Sequence, residues 1–171
     1  HSSAASDVYK RQAYKLLEKN NSGDNILVID RYNIPSKGTS LKNSGVLHAG
    51  LYYPPNSEKS RLCINGHESL KKLSKDNNLP ILECGKLIIP TNKNQERNLF
   101  TLYENALRCN RDVSIIDYDH ALKIQPNIRK RDGYLWSPKT SVFSPSKILN
   151  FFYRSLLAVS YTHLRAHETS E

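Results

Sequence analysis

Lys42-Asn43-Ser44-Gly45-Val46-Leu47-His48-Ala49-Gly50-Leu51-Tyr52-Tyr53 crowds two glycines, small polar side chains and a histidine into one short stretch. Glycine has no Cβ, so a backbone can pass close to a bulky planar or anionic ligand there. Asn43 and Ser44 offer side-chain donors, and the N–H groups around Gly45 have the makings of an anion-binding nest. The same residues would also serve as an ordinary Gly-rich turn between two strands. The residues just upstream weigh against that plainer reading.

They are Asn25-Ile26-Leu27-Val28-Ile29-Asp30-Arg31. Four consecutive apolar residues, mostly β-branched and bounded by turn formers, predict a strand buried on both faces. The strand ends in a carboxylate followed by a cation. In a dinucleotide-binding βαβ unit, an acidic residue at the end of the second strand accepts the ribose hydroxyls. Residues 13–19 read as the end of a helix, closed by Asn20-Asn21-Ser22-Gly23. Helix, glycine turn, buried strand and terminal Asp make the second half of such a unit. The first half, a strand with G-x-G-x-x-G, belongs before residue 13, where the sequence does not have it.

Three blocks carry a wider resemblance: Asn43-Ser44-Gly45-Val46-Leu47-His48-Ala49-Gly50-Leu51-Tyr52-Tyr53, Lys59-Ser60-Arg61-Leu62-Cys63 and Cys84-Gly85-Lys86-Leu87-Ile88. In these blocks and their spacing, residues 26–149 resemble the N-terminal part of the FAD-dependent oxidoreductases of the D-amino-acid-oxidase superfamily. Within it they look most like the L-2-hydroxyglutarate oxidase/dehydrogenase branch. The resemblance implies an α/β fold with an α+β insertion: a partial Rossmann-like FAD-binding domain with a mixed or antiparallel substrate domain, truncated at both ends. It assigns residues 13–80 to the FAD-binding domain, 81–138 to the substrate domain and 139–158 to a helix returning to the FAD domain.

The bulk numbers set bounds around that reading. A chain of 171 residues is long enough for one domain with a sizeable core. It has no methionine, and residues 2–12 and 159–171 look like translated adapter sequence, without amphipathic pattern. Residues 1–12 and 159–171 are therefore expected to add nothing to the fold. The net charge is +9. A basic balance suits nucleic acid or an anionic membrane, but these lysines are scattered, and only Arg129-Lys130-Arg131 forms a run. Solvated faces and attraction for an acidic substrate are the simpler account. A basic nucleic-acid-binding module is the rival of another class, and it lacks interleaved aromatic and basic residues on a recognisable platform. Three cysteines without a C-x-x-C point to a reducing compartment and no metal site. No apolar run approaches the ~20 residues of a membrane span. The expected location is the cytoplasm, with peripheral association at the inner face of the membrane left open.

Along the chain, residues 32–41 read as a loop. Pro54-Pro55-Asn56-Ser57 makes a turn, and Ser57 caps a helix reaching about Asn77 with Leu62, Cys63, Gly66, Leu70 and Leu73 inward. Residues 81–90 hold strand, bend and strand around Cys84-Gly85-Lys86. Leu99, Leu102, Tyr103, Ala106 and Leu107 mark an amphipathic helix. A strand over 113–116, a short helix to Ile124 stopped by Pro126 and a strand over 133–136 follow. Ser144-Pro145 opens a last helix with Ile148, Leu149, Phe152 and Leu156 inward.

The resemblance also implies roles. Asp30 accepts the adenosine ribose, with Arg31 beside it; Thr39, Ser40, Asn43, Ser44, Gly45, Val46 and His48 are cofactor contacts for FAD. Oxidising a 2-hydroxy acid needs the hydroxyl proton removed while hydride leaves the adjacent carbon. His48 suits that base, since a histidine pKa lies near neutrality. Two other readings stay open: a buried histidine fixed by a backbone hydrogen bond, and covalent attachment to the flavin. His67 and His120 read as structural. A dicarboxylate needs cations, and Lys59, Arg61 and Lys86 stand in the matching blocks, with Tyr52 and Tyr53 as hydroxyl donors. The implied reaction is L-2-hydroxyglutarate to 2-oxoglutarate by hydride transfer to FAD, with oxygen or a quinone as electron acceptor. An amino-acid or glycerol-3-phosphate oxidising relative is the alternative.

Overall fold

The computed structural model of the chain describes residues 6–19, 42–109 and 111–168, with backbone alone for 6, 7, 9 and 159–168. By packing the chain forms two compact units, His1–Gly45 with Ser144–Glu171, and Val46–Phe143. The strand expected over 25–31 lies outside the described residues.

In the first unit, α1 (Ser6–Lys19) lies against α5 (Pro145–Glu168). The Tyr14 ring meets Phe151 edge-on at 5.5 Å and Phe152 at 5.4 Å. Ala13, Ile148, Leu149 and Phe152 are buried. Pro145 stands at the first helical position, where its missing N–H costs nothing, and the Ser144 carbonyl accepts from the Ile148 N–H at 3.2 Å. Both helices run further than expected. α1 starts at Ser6 and buries Lys10, and α5 continues to Glu168, so both helices extend into the segments expected to add nothing to the fold. Once a helix is nucleated, each added residue gains one hydrogen bond at little further cost, even where apolar periodicity is weak.

The second unit holds two antiparallel sheets. β1 (Val46–Leu47), β6 (Ser141–Phe143) and β2 (Ile81–Leu82) form one, with β6 central; β3 (Lys86–Ile88), β5 (Tyr134–Ser137) and β4 (Ser114–Ile116) form the other, with β5 central. Val46 pairs with Val142 and Leu47 with Ser141, while Leu82 faces Val142 from the other side. In the second sheet Trp136 stands opposite Leu87 and Leu135 opposite Ile115. Neither β1 nor β6 is expected from local pattern, since two or three residues are too few to show alternation.

Strand alternation gives β5 two cores. Leu135 joins Leu51, Leu99, Ala106 and Val113 on one face, and Tyr134 joins Ala121 and Ile128 on the other. The buried Tyr134 hydroxyl donates to the Arg129 carbonyl at 2.7 Å. Three helices frame these sheets: α2 (Glu58–Asp76), α3 (Lys93–Arg108) and α4 (Tyr118–Ile124). Each is capped by a side chain that accepts an otherwise orphaned N–H: Ser57 from Ser60, Asn92 from Gln95, Asp117 from His120. Between β2 and β3 the chain passes from one sheet to the other at Gly85. Its φ is +71°, and a Cβ there would lie 2.0 Å from the Trp136 ring.

The inward face of α2 differs from the expected one. Leu62 is 60% exposed, while Ser60, His67 and Ser74 are buried. A hydrophobic reading turns leucines inward; in the structure Leu62 faces solvent, His67 meets the His48 carbonyl of the glycine stretch, and the Ser60 hydroxyl lies 3.5 Å from Cys109 Sγ.

Candidate functional site

β1 carries the chain to His48, and Leu51, 2% exposed, anchors the stretch in the core. Between them the backbone lies against α2. Gly50 sits at φ +81°, where a Cβ would meet Ile64 Cγ1 at 3.0 Å. The His48 carbonyl accepts from His67 Nδ1 at 3.1 Å and from Cys63 Sγ at 3.7 Å. With that backbone held, the His48 and Tyr52 rings meet edge to face at 6.3 Å. Lys86, at the start of β3, places its ammonium 4.5 Å from the centre of the Tyr52 ring and donates to the Tyr52 hydroxyl. Such a cation over an aromatic face is attracted by the ring quadrupole.

This gives an exposed cluster of an imidazole, a phenol and an ammonium. The His48 pKa is lowered below its ordinary 6.5, chiefly because neighbouring protein displaces water from the ring and further because Lys86 is positive. Near neutral pH the imidazole is therefore unprotonated and able to take a proton, with a cation beside it that suits a carboxylate. Burial pushes the Cys63 thiol up, against the smaller opposing effects of the Gly50 N–H and Arg111. Cys63 is thus a neutral thiol that donates to the His48 carbonyl; it lacks the thiolate character of a nucleophile.

The cluster gathers His48, Tyr52 and Lys86 from the expected residues. Tyr53 is exposed outside it. Arg61 pairs with Glu58 on the outer face of α2, and Lys59 is exposed on the same helix, so neither joins the cluster. Val46 is engaged in β1. Asp30, Arg31, Thr39 and Ser40 lie outside the described residues. Asn43 and Ser44 are exposed, while Gly45, at φ +66°, is buried. The Gly45 N–H donates to the Asn43 side-chain carbonyl at 2.9 Å. The Gly45 N–H is thereby engaged in an Asx turn, closed by the Asn43 side-chain oxygen. One residue of the site, His67, escapes the hydrophobic reading, while Cys63 is on the expected inward face without a role assigned to it. The signal is a run of polar or thiol side chains at Ser60, Cys63, His67 and Ser74, three to seven residues apart on one helix. Among the described residues no group of three or more His, Cys, Asp or Glu is placed to hold a metal ion, and no helix is long and apolar enough to cross a membrane.

With the glycine-rich turn, the two-residue strand before His48 and the paired antiparallel sheets described, the match to a known family is direct. The chain belongs to the FAD dependent oxidoreductase (DAO) family, whose model matches residues 12–162. FAD is the cofactor of that family. Over 122 residues the chain is 33% identical to the mitochondrial L-2-hydroxyglutarate dehydrogenase of Arabidopsis thaliana, covering 70% of this chain and 25% of that one. It is 34% identical over 102 residues to the corresponding Caenorhabditis elegans enzyme, covering 58% and 23%. The chain therefore spans about a quarter of the length of the curated relatives it matches. The L-α-glycerophosphate oxidase of Mycoplasma pneumoniae, solved with FAD bound, superposes with a TM-score of 0.68 at 14% identity, over 88% of this chain and 40% of that one. That likeness shows the fold. The residues described at the glycine stretch fit such a cofactor through their donor set: the exposed Asn43 amide and Ser44 hydroxyl are groups of the kind a phosphate or a flavin edge accepts from.

Proposed function

We propose that the protein carrying this chain oxidises L-2-hydroxyglutarate to 2-oxoglutarate. The observation that carries the reading is the His48–Tyr52–Lys86 cluster, a proton acceptor next to a positive charge. The relatives named above support the choice of substrate. Bound FAD supplies the acceptor for the hydride that leaves the carbon bearing the hydroxyl. An unprotonated imidazole nitrogen of His48 takes the hydroxyl proton, which raises electron density on that carbon and eases loss of its hydrogen. Lys86 and the Tyr52 hydroxyl hold a substrate carboxylate, Lys86 as a point charge. Asp30 and Arg31 serve the adenosine ribose, and Thr39, Ser40, Asn43, Ser44, Gly45 and Val46 contact the rest of the cofactor. Residues 13–80 would then serve FAD and 81–138 the substrate, with 139–158 returning to the FAD domain. Lys59, Arg61 and Tyr53 have no support from the cluster and stand as outer members of the substrate set. Oxygen or a quinone takes the electrons, in the cytoplasm or at the inner face of the membrane.

The test is His48→Ala in the flavin-loaded protein, assayed with L-2-hydroxyglutarate, glycine and glycerol 3-phosphate. Turnover of L-2-hydroxyglutarate should exceed that of the other two and fall about a hundredfold or more in the variant, with FAD content unchanged. Near-normal turnover would remove His48 as the base. A preference for glycine or glycerol 3-phosphate would overturn the substrate.

A further inference from the structure

His67 is 2% exposed, in the middle of α2. A buried imidazole is costly unless its polar atoms are satisfied. One of them is: Nδ1 lies 3.1 Å from the His48 carbonyl, nineteen residues back along the chain. A carbonyl oxygen can only accept, so Nδ1 carries the hydrogen and this is the Nδ1–H form of the ring. Nε2 is buried with no hydrogen-bond partner among the described residues. One end of the ring is thus spent on the single residue whose side chain is the candidate base. The helix turn preceding His67 reinforces the hold. Cys63 donates to the same carbonyl, and Ile64 packs against Gly50 so closely that a Cβ there would lie at 3.0 Å. A leucine would fill a core position on α2 with less penalty, so packing alone does not account for a histidine there.

We propose that His67 is a positioning residue for oxidation of the 2-hydroxy acid: its Nδ1–H fixes the His48 carbonyl, and through it the direction in which the His48 imidazole faces Tyr52 and Lys86. The inference rests on the reading of His48 as the base. His67 touches no substrate; it sets the backbone from which the proton acceptor projects. The His67 bond, shorter than the one from Cys63, can matter this much because His48 follows a strand of two residues, which by itself fixes little. Misplacing a reacting group by a fraction of an ångström is enough to lower a rate.

The experiment compares His67→Asn with His67→Leu in the flavin-loaded protein. The asparagine amide can occupy the place of Nδ1 and donate to the same carbonyl; leucine fills the space and cannot donate. Expected are a fall in kcat of about tenfold for His67→Leu, the scale of one lost hydrogen bond, with KM and FAD content nearly constant, and recovery to within about threefold of the parent for His67→Asn. Ring-labelled histidine NMR gives a readout independent of turnover. The His48 titration midpoint should move toward 6.5 in His67→Leu and stay at the parent position in His67→Asn. Equal losses in both variants, or no loss in either, would overturn the proposal, as would an unmoved His48 titration in His67→Leu. If His48→Ala keeps its turnover, the base assignment fails by itself, and the titration still decides whether His67 holds His48.

Discussion

The two sheets of the second unit are built to different standards. In the β3-β5-β4 sheet the central strand is closed on both faces, with Tyr134, Leu135 and Ser137 each 0% exposed. Both of its outer strands are three residues long and pair with β5 along their whole length. In the β1-β6-β2 sheet the outer strands are two residues each, Val46 and Leu47 are only half-buried, and Leu82 is 62% exposed. The candidate base projects from the weaker sheet, and its partner Lys86 starts a strand of the stronger one. The short sheet therefore depends on ties from outside its own ladder: α2 holding the His48 carbonyl, Leu51 seated in the core, and Gly85 carrying the chain between the sheets. Burial is thus separated between the two sheets, while the candidate cluster draws on both.

The passage at Gly85 is where that separation is most exposed to a single change. Alanine there would have to adopt φ +71° and place a methyl inside the contact distance of Trp136. The left-handed backbone costs roughly 1–2 kcal/mol and overpacking a further 1–3 kcal/mol, so Gly85→Ala should lower the unfolding free energy by about 4 kcal/mol in urea titration. A loss under about 1 kcal/mol would mean that the two sheets are not tied through this turn.

The next effect separates the sheets themselves. Leu135→Ala removes a fully buried side chain from β5 and should cost about 2–5 kcal/mol. Val142→Ala, at the half-buried centre of β6, should cost only about 1 kcal/mol. Equal losses would erase the contrast between them. A finer cut is Tyr134→Phe, which keeps the ring and removes only the bond to the Arg129 carbonyl. Its expected cost is about 1 kcal/mol.

The same contrast decides what could be read from the sequence. Elements with local signals are there to be found: Ser57 before α2, the periodic leucines of α3, Asp117 before α4 with Pro126 after it, and the apolar run of β5. Each is specified by residues close to one another in the chain. The β1-β6-β2 sheet is not, because its pairing joins residues 46–47 with 141–143, almost a hundred positions apart, and neither segment is long enough to alternate. The inward face of α2 fails for a related reason. Its leucines place Leu62 inward, but Leu62 is exposed and His67 is buried instead, against a His48 carbonyl that only the tertiary fold brings to it. Of the site, the glycine stretch and Lys86 are legible through their resemblance to a flavoprotein family. The contact of Lys86 with Tyr52 and the hold of His67 on His48 are products of folding, visible only once α2, β3 and the stretch are brought together.

The smallest expected effect tests how the two sheets meet at the candidate base. His48 has its pKa lowered first by burial and second by the charge of Lys86, which comes from the other sheet. A base works unprotonated, so the acid limb of kcat/KM should fall below pH 6.5, with activity rising through it and levelling toward neutrality. Lys86→Met keeps the bulk of the side chain and removes the charge. The limb should then move up toward 6.5 and stay below it, because burial, the larger cause, is untouched. Stability follows the same sign. Between the folded pKa and 6.5 the unfolded chain binds more protons at His48 than the folded one, so stability rises with pH across that window. Lys86→Met should make that rise shallower. Added salt should mimic the substitution in part, since the cluster is open to solvent and exposed charges are screened over about 10 Å at 0.1 M. An acid limb that stays in place in Lys86→Met would show that the charge of β3 does not reach the imidazole, and the base would then be tuned by its own sheet and by α2 alone.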